Sequence, residues 1–329
     1  FSAGDLRIKN FTQIGSTSQS LTLSSAAALY IESGNTFNGA VTFSSPNVYL
    51  NGASFSSTAS ITKSGSNSNQ SLGGNTFSST TTIVNTGSGD FILGVSNPDT
   101  FNGSTTFTNS GSGTTFVAHV ASGTSFTQNI SVNSTGSSKG VRFGQNGGTC
   151  SLASGRTLSI GGSGFSAGSL RLRNFTQTGS TAQTLSVLSG SAALYLESGT
   201  TFNGTVNFSF PQLYLSGSTF ETTATLQKRG STDNSGAGGC TFNGVTTITN
   251  SGSGRLNLGT ASADIFNDNL TLTCSGSSMI QIAHTATGTQ FNGNIVINST
   301  GSSAGVKFGQ NGGTSTLANT KTISIGVSG

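Results

Sequence analysis

Apolar residues recur along this chain at two beats, every second position inside short runs and every 18 to 27 residues between runs. Phe37, Val41 and Phe43 stand at offsets of four and six. The spacing returns at Phe126, Ile130 and Val132, at Phe202, Val206 and Phe208, at Phe266, Leu270 and Leu272, and at Phe291, Ile295 and Ile297. An offset of two between apolar side chains is strand periodicity with one buried face. A second strand is expected after an SGSG-type loop in several coils, as in Phe91 and Leu93, Leu256 and Leu258, Val48 and Leu50, or Leu213 and Leu215. No stretch carries the 3.6-residue period, and helix formers never cluster.

The longer beat is a repeat at two levels. Residues 1–164 begin FSAGDLRIKNFTQ and end GQNGGTCSLASGRTLSIGGSG, and residues 165–329 begin FSAGSLRLRNFTQ and end GQNGGTSTLANTKTISIGVSG, with one inserted residue near Gly190. Within each half a marker Phe precedes a small polar turn. The markers are Phe11, Phe37, Phe55, Phe77, Phe101, Phe126 and then Leu152, followed by Phe175, Phe202, Phe220, Phe242, Phe266, Phe291 and Leu317. This predicts an all-β parallel β-helix (β-solenoid), right-handed, with seven coils in each of two domains, 1–164 and 165–329. Each coil is too small to bury its own apolar face, so stacking makes the core, with the marker Phe column as its spine. At about 4.8 Å per coil, fourteen coils span about 65 to 70 Å.

Gly and Asn after the marker are expected to supply positive φ at the corners. Asn38, Asn102, Asn203, Asn243, Asn267 and Asn292 either form a hydrogen-bonded ladder along the axis or are turn residues only.

Composition narrows the class. Only 7% of residues are charged, against 48 Gly and 22 Phe, with no Trp. Disordered chains lack such aromatic content. The net charge of +4 comes from only 13 basic residues, too few and too scattered to track phosphates, so nucleic acid is not an expected partner. No apolar run reaches the ~20 residues of a membrane span. Cys150, Cys240 and Cys274 fall at different places in the repeat, which argues against a metal site or a planned disulfide framework.

Parallel β-helices also carry polysaccharide-cleaving enzymes, which need two neighbouring carboxylates. Of nine acidic residues only Glu32 with Glu197, and Asp99 with Asp264, recur in both halves. Within a half they lie about three coils, or about 14 Å, apart. No enzyme, cofactor or metal site is therefore expected. His119 and His284 recur singly, as turn or surface residues. Arg7 and Lys9, then Arg171 and Arg173, with Glu32 and Glu197 on the next coil, suit either a solvated face or a lateral contact with a neighbouring chain. Tyr30, Tyr49, Tyr195 and Tyr214 recur two per half and are candidates for an outward adhesive stripe. Outward Ser and Thr, as in TTTIVNTGSG and VTTITNSGSG, keep ice binding as an alternative, although no strict TxT motif recurs per coil.

The run of TFNG, a Thr-Ile strand, SGSG and INSTGSSAGVKFGQNGGT, closed by TISIG, resembles the tandem repeats of very large surface proteins in Bacteroidota. These include the adhesins of gliding bacteria and the filamentous appendages of prey-capturing relatives. The resemblance implies an exported extracellular shaft at the cell surface, without catalytic residues. Its implied partners are copies of itself or neighbouring filament chains and a cell-surface or glycan ligand. It also implies an array continuing beyond Phe1 and Gly329.

Overall fold

The computed structural model describes residues 4–188, 190–300 and 302–326; the expected continuation at Phe1 and Gly329 falls outside them. Apart from two 3-10 turns, Gln145–Gly147 and Gln310–Gly312, all regular elements are strands. The strands stack in parallel, in register, as a β-solenoid. By compactness the chain divides into two units, Phe1–Thr178 and Gly179–Gly329. The repeat boundary between Gly164 and Phe165 lies inside a continuous strand, Leu158–Phe165, of the first unit.

Each turn has three sides. In the first unit one side is a column of short strands ending in the marker: Thr36–Phe37, Ser54–Phe55, Thr76–Phe77, Thr100–Phe101, Ser122–Phe126 and Thr149–Leu152, closed by Phe175–Gln177. The second side stacks longer strands, among them Val41–Ser45, Ala59–Lys63, Thr81–Asn85, Thr105–Asn109 and Ile130–Ser134. The third begins with Asp5–Ile8, Ala28–Ile31 and Asn47–Leu50, and after a break continues with Asn69–Gln70, Phe91–Ile92 and Thr115–Val117. The second unit repeats this plan, its marker strands running from Thr201–Phe202 through Thr219–Phe220, Thr241–Phe242, Ile265–Phe266 and Thr289–Phe291 to Ser315–Leu317.

The marker residues make the spine of each unit. Phe37, Phe55, Phe77, Phe101 and Phe126, and separately Phe202, Phe220, Phe242, Phe266 and Phe291, are all buried. Their rings stack nearly parallel, with centroids 4.8 Å apart from Phe77 to Phe101 and 4.7 Å apart from Phe242 to Phe266. That spacing is the interstrand distance, so in-register pairing alone sets the ring stack. Fully buried aromatics of this size dominate core energetics.

Two sequence expectations need correction. Phe11 and Phe175 are not in the marker register. Thr12 bridges Thr36, and Phe175 and Gln177 pair with Cys150 and Leu152. In the FTQ segments the residue facing the markers is thus Gln13 or Gln177, both buried, while Phe11 is 45% exposed. Nor does the glycine of the turn after the marker supply positive φ. Gly39, Gly103, Gly204, Gly244 and Gly293 are absent from the positive-φ residues, as are the preceding Asn. A Cβ on these glycines would instead collide with the backbone of the previous coil, at Thr17, Ser79, Thr181, Thr222 and Asp268. Glycine is required there by the closeness of stacked turns, which depends on the next coil and not on local dihedrals.

Candidate functional site

Two polar columns run inside the solenoid. Two residues before each marker the chain turns inward, and Asn35, Asn75, Asp99 and Thr124 in the first unit, with Thr200, Ser218, Cys240, Asp264 and Thr289 in the second, are all buried. Six of them, Asn35, Asn75, Asp99, Thr124, Asp264 and Thr289, take a backbone N–H from the preceding coil. Phe11 N donates to Asn35 Oδ1 at 3.0 Å, Ala53 N to Asn75 Oδ1 at 3.0 Å, Asn75 N to Asp99 Oδ1 at 3.0 Å, and Asp99 N to Thr124 Oγ1 at 3.2 Å. Cys240 N likewise donates to Asp264 Oδ1 at 2.9 Å. Buried backbone donors must be paired, and here side chains do what the ladder does elsewhere. Cys150 and Cys240 both occupy this column, so at the level of the coil they share a position, two residues before Leu152 and Phe242.

The second column ends the longer strands. Lys63 and Lys228 are fully buried. Lys63 Nζ donates to the carbonyls of Gly65 and Gly89 at 2.8 and 3.1 Å, and Lys228 Nζ to those of Gly230 and Gly254 at 2.6 and 2.9 Å. Asn85, Asn109 and Asn250 do the same for the SGSG loops of their coils, and Cys274 Sγ reaches the Gly305 carbonyl at 3.1 Å. Burial pushes both ammonium groups down to about 8. Nothing in the sequence pattern marks these lysines, because their burial follows from the loop carbonyls that the next turn delivers.

Outside, the asparagine ladder exists in the second unit. Asn292 Nδ2 donates to Asn267 Oδ1 at 2.8 Å, Asn267 Nδ2 to Asn243 Oδ1 at 2.7 Å, and Asn243 Nδ2 to Glu221 Oε2 at 2.7 Å. In the first unit Asn38 accepts from Ser56 Oγ at 3.1 Å and donates to the Gln13 carbonyl at 2.6 Å.

The carboxylates that recur lie in opposite environments. Burial raises the Asp99 and Asp264 carboxyls to about 6, whereas Glu32 is at the surface in an ion pair. No group of three metal-ligating side chains occurs among the described residues. His119 and His284 each accept at Nε2 from the amide of the QNG turn one coil on, Asn146 at 2.9 Å and Asn311 at 3.1 Å, leaving Nδ1 buried without a partner. Desolvation lowers His119 against an opposing pull from Asp90.

The charged and aromatic candidates of the first unit converge on its third side. Arg7, Tyr30 and Tyr49 occupy one register position on successive strands. The Arg7 guanidinium lies 3.8 Å from the Tyr30 ring centre, and the Tyr30 and Tyr49 rings stack at 4.4 Å with a 4° interplanar angle. Arg7 also donates to Glu32 Oε1 at 2.9 Å and stands 3.7 Å from Asp5. Lys9 is exposed just past the strand end. Arg171 is half-buried in Ser169–Leu172, in register with Arg142, and Arg173 is exposed. Tyr195 and Tyr214 stack at 4.2 Å in the second unit, and Glu197 is half-buried after its strand. The sequence placed these residues outward; only the register turns them into one stack.

A shallow pocket of about 310 Å3 opens beside this stack, lined by Tyr30, Tyr49, Glu32, Asn51, Gln70 and Leu72 among others. It coincides with the break in the third side. Between Asn47–Leu50 and Asn69–Gln70, Val48 N donates to Asn69 Oδ1 at 3.2 Å and Leu50 N to Ser71 Oγ at 3.0 Å. The second unit has the same substitution, with Leu213 N donating to Asn234 Oδ1 at 3.0 Å.

On the longer-strand side, outward hydroxyls recur in two columns, with Thr42 and Ser44, Ser60 and Thr62, and Thr106 and Thr108 on strands in strict register, the second column being interrupted by Val84 beside Thr82. Among the described residues no helix is long and apolar enough to cross a membrane. No protein-family description, curated protein or solved structure matches this chain.

Proposed function

We propose that this chain is a structural and adhesive segment of a long extracellular filament that attaches to cells or surfaces, similar to the repetitive giant surface proteins of Bacteroidota. The observation that carries the reading is the repetition of one coil geometry within each unit. In-register parallel strands, a stacked Phe spine and polar columns recur over most turns of each unit, so a chain can lengthen without a new core. Axial force on such a stack loads many backbone hydrogen bonds together. Sparse surface charge favours lateral packing with neighbouring chains. The recurring carboxylates stand apart, Asp99 and Asp264 buried and Glu32 at the surface beside Arg7, which favours a structural over a hydrolytic role. Electron microscopy of the native assembly tests the proposal. Fibres with an axial recurrence near 34 Å, the rise of about seven coils, support it. A monodisperse monomer that degrades polysaccharide refutes it.

The aligned hydroxyls at Thr42 and Ser44, Ser60 and Thr62, and Thr106 and Thr108 favour ice binding as a second reading, because they present an uncharged, regularly spaced array, interrupted at Val84. Thermal hysteresis that disappears in Thr106→Tyr would establish it, and unaltered ice growth would dismiss it.

A further inference from the structure

The outward column that carries Arg7, Tyr30 and Tyr49 is stacked from one end only. Arg7 covers one face of Tyr30, and Tyr49 covers the other. The far face of Tyr49 has no ring or cation partner among the described residues, and it borders the pocket that Gln70 and Leu72 of the next coil line. That is where the strand ladder is replaced by side-chain bridges from Asn69 and Ser71. The pocket of about 310 Å3 lies at this seam, a volume at the lower end of the roughly 300 to 1,000 Å3 found for small-molecule sites.

We infer that this seam pocket binds one pyranose ring of a neutral glycan, resting on Tyr49. The inference deepens the adhesive reading above and rests on it. Three features select this ligand class. A rigid aromatic face, held by its stacked neighbour and by a hydrogen bond from Asn69 Nδ2 to the Tyr49 hydroxyl at 3.1 Å, offers a platform for the apolar face of a sugar. Glu32, Asn51 and Gln70 ring the pocket with acceptors and donors that suit hydroxyls. The one cation in the lining, Arg7, is already paired with Glu32, so the lining has no net charge and no free cation to hold an anionic sugar. An apolar floor with a few convergent polar groups is the usual construction of a small-ligand site.

The second unit carries a sparser version of the same construction. Tyr214 is stacked on Tyr195, Asn234 bridges the seam, and the positions of Gln70 and Leu72 are held by Ser235 and Ala237. With fewer contacts, it is expected to bind more weakly.

The test is ligand-observed saturation-transfer NMR on the intact chain with glucose, galactose, mannose and N-acetylglucosamine, beside glucuronate and N-acetyltyrosinamide. At least one neutral hexose is expected to receive transfer. Tyr49→Ala is expected to weaken its binding at least 10-fold, Tyr49→Ala with Tyr214→Ala to abolish it, and Tyr49→Trp to preserve it, all with unchanged far-UV circular dichroism. Transfer to no neutral sugar, transfer to glucuronate or N-acetyltyrosinamide alone, or hexose binding that survives the double substitution would each overturn the assignment. Filaments that attach normally without any hexose response would overturn this site and leave the adhesive shaft standing. Hexose binding in a chain that never forms fibres would uphold the site and remove the shaft.

Discussion

Replacing Asp99 and Asp264 by Asn should change how stability depends on pH, in a direction the buried column fixes. Burial lifts each carboxyl from 3.8 to about 6, against the opposing N–H donors of Asn75 and Cys240. An acid whose folded pKa lies above its unfolded value holds a proton in the folded chain that the unfolded chain has released. Its contribution is fully present below about pH 4 and is lost as pH rises toward about 6. A shift of about two units, at about 1.36 kcal/mol each, makes the loss about 3 kcal/mol per site at pH 7. Asn is tolerated geometrically in this column, since Asn35 and Asn75 occupy it already. A new amide N–H without an acceptor would subtract about 1 to 3 kcal/mol, at every pH alike. The pH dependence of the difference is therefore the measurement. Urea denaturation followed by circular dichroism at pH 4, 5, 6 and 7 should show the doubly substituted chain gaining about 5 kcal/mol on the parent between pH 4 and pH 7, part of the effect being already lost at pH 4. A difference that stays flat across that interval would refute the reasoning, for it would mean that the N–H donors hold the carboxylates ionised.

Three further outcomes follow from the packing. Phe101→Ala should cost about 3 to 5 kcal/mol by opening a cavity in the ring stack, while Phe11→Ala, at a half-exposed ring beside Phe37, should cost about 1 kcal/mol; equal losses in thermal melts would contradict the register described for Phe11. Gly103→Ala should destabilise by more than about 2 kcal/mol because its Cβ meets the Ser79 backbone, whereas Gly155→Ala, at positive φ but with open space around it, should cost about 1 kcal/mol; a reversed order in urea titrations would return the TFNG glycine to a purely dihedral role. The three thiols, all free and buried, with Cys150 and Cys240 pushed well up by desolvation, should resist a disulfide reagent in the native chain and react once urea unfolds it; fast native labelling would show that the columns open.

The fold was legible because in a parallel, in-register stack the spacing along the chain becomes spacing in space. Phe37, Phe55, Phe77 and Phe101 recur in the sequence and therefore stack, and the alternation at Val41 and Phe43 alone separates inside from outside. What a residue meets in the next coil was not legible. Phe11 carries the marker's look, yet the bridge of Thr12 to Thr36 moves it out of register. The glycines after the marker resemble turn residues, yet they are small because another turn lies on top of them. Lys63 and Asp99 are buried, since neighbouring coils supply the carbonyls and N–H groups that their charges require, and nothing in their own strands announces it. Arg7, Glu32, Tyr30 and Tyr49, separated by up to 42 positions, became one stack with a pocket beside it. Sequence alone sets the periodic part of the structure, because each coil repeats the same local conditions. Tertiary structure decides every feature that depends on two different coils in contact.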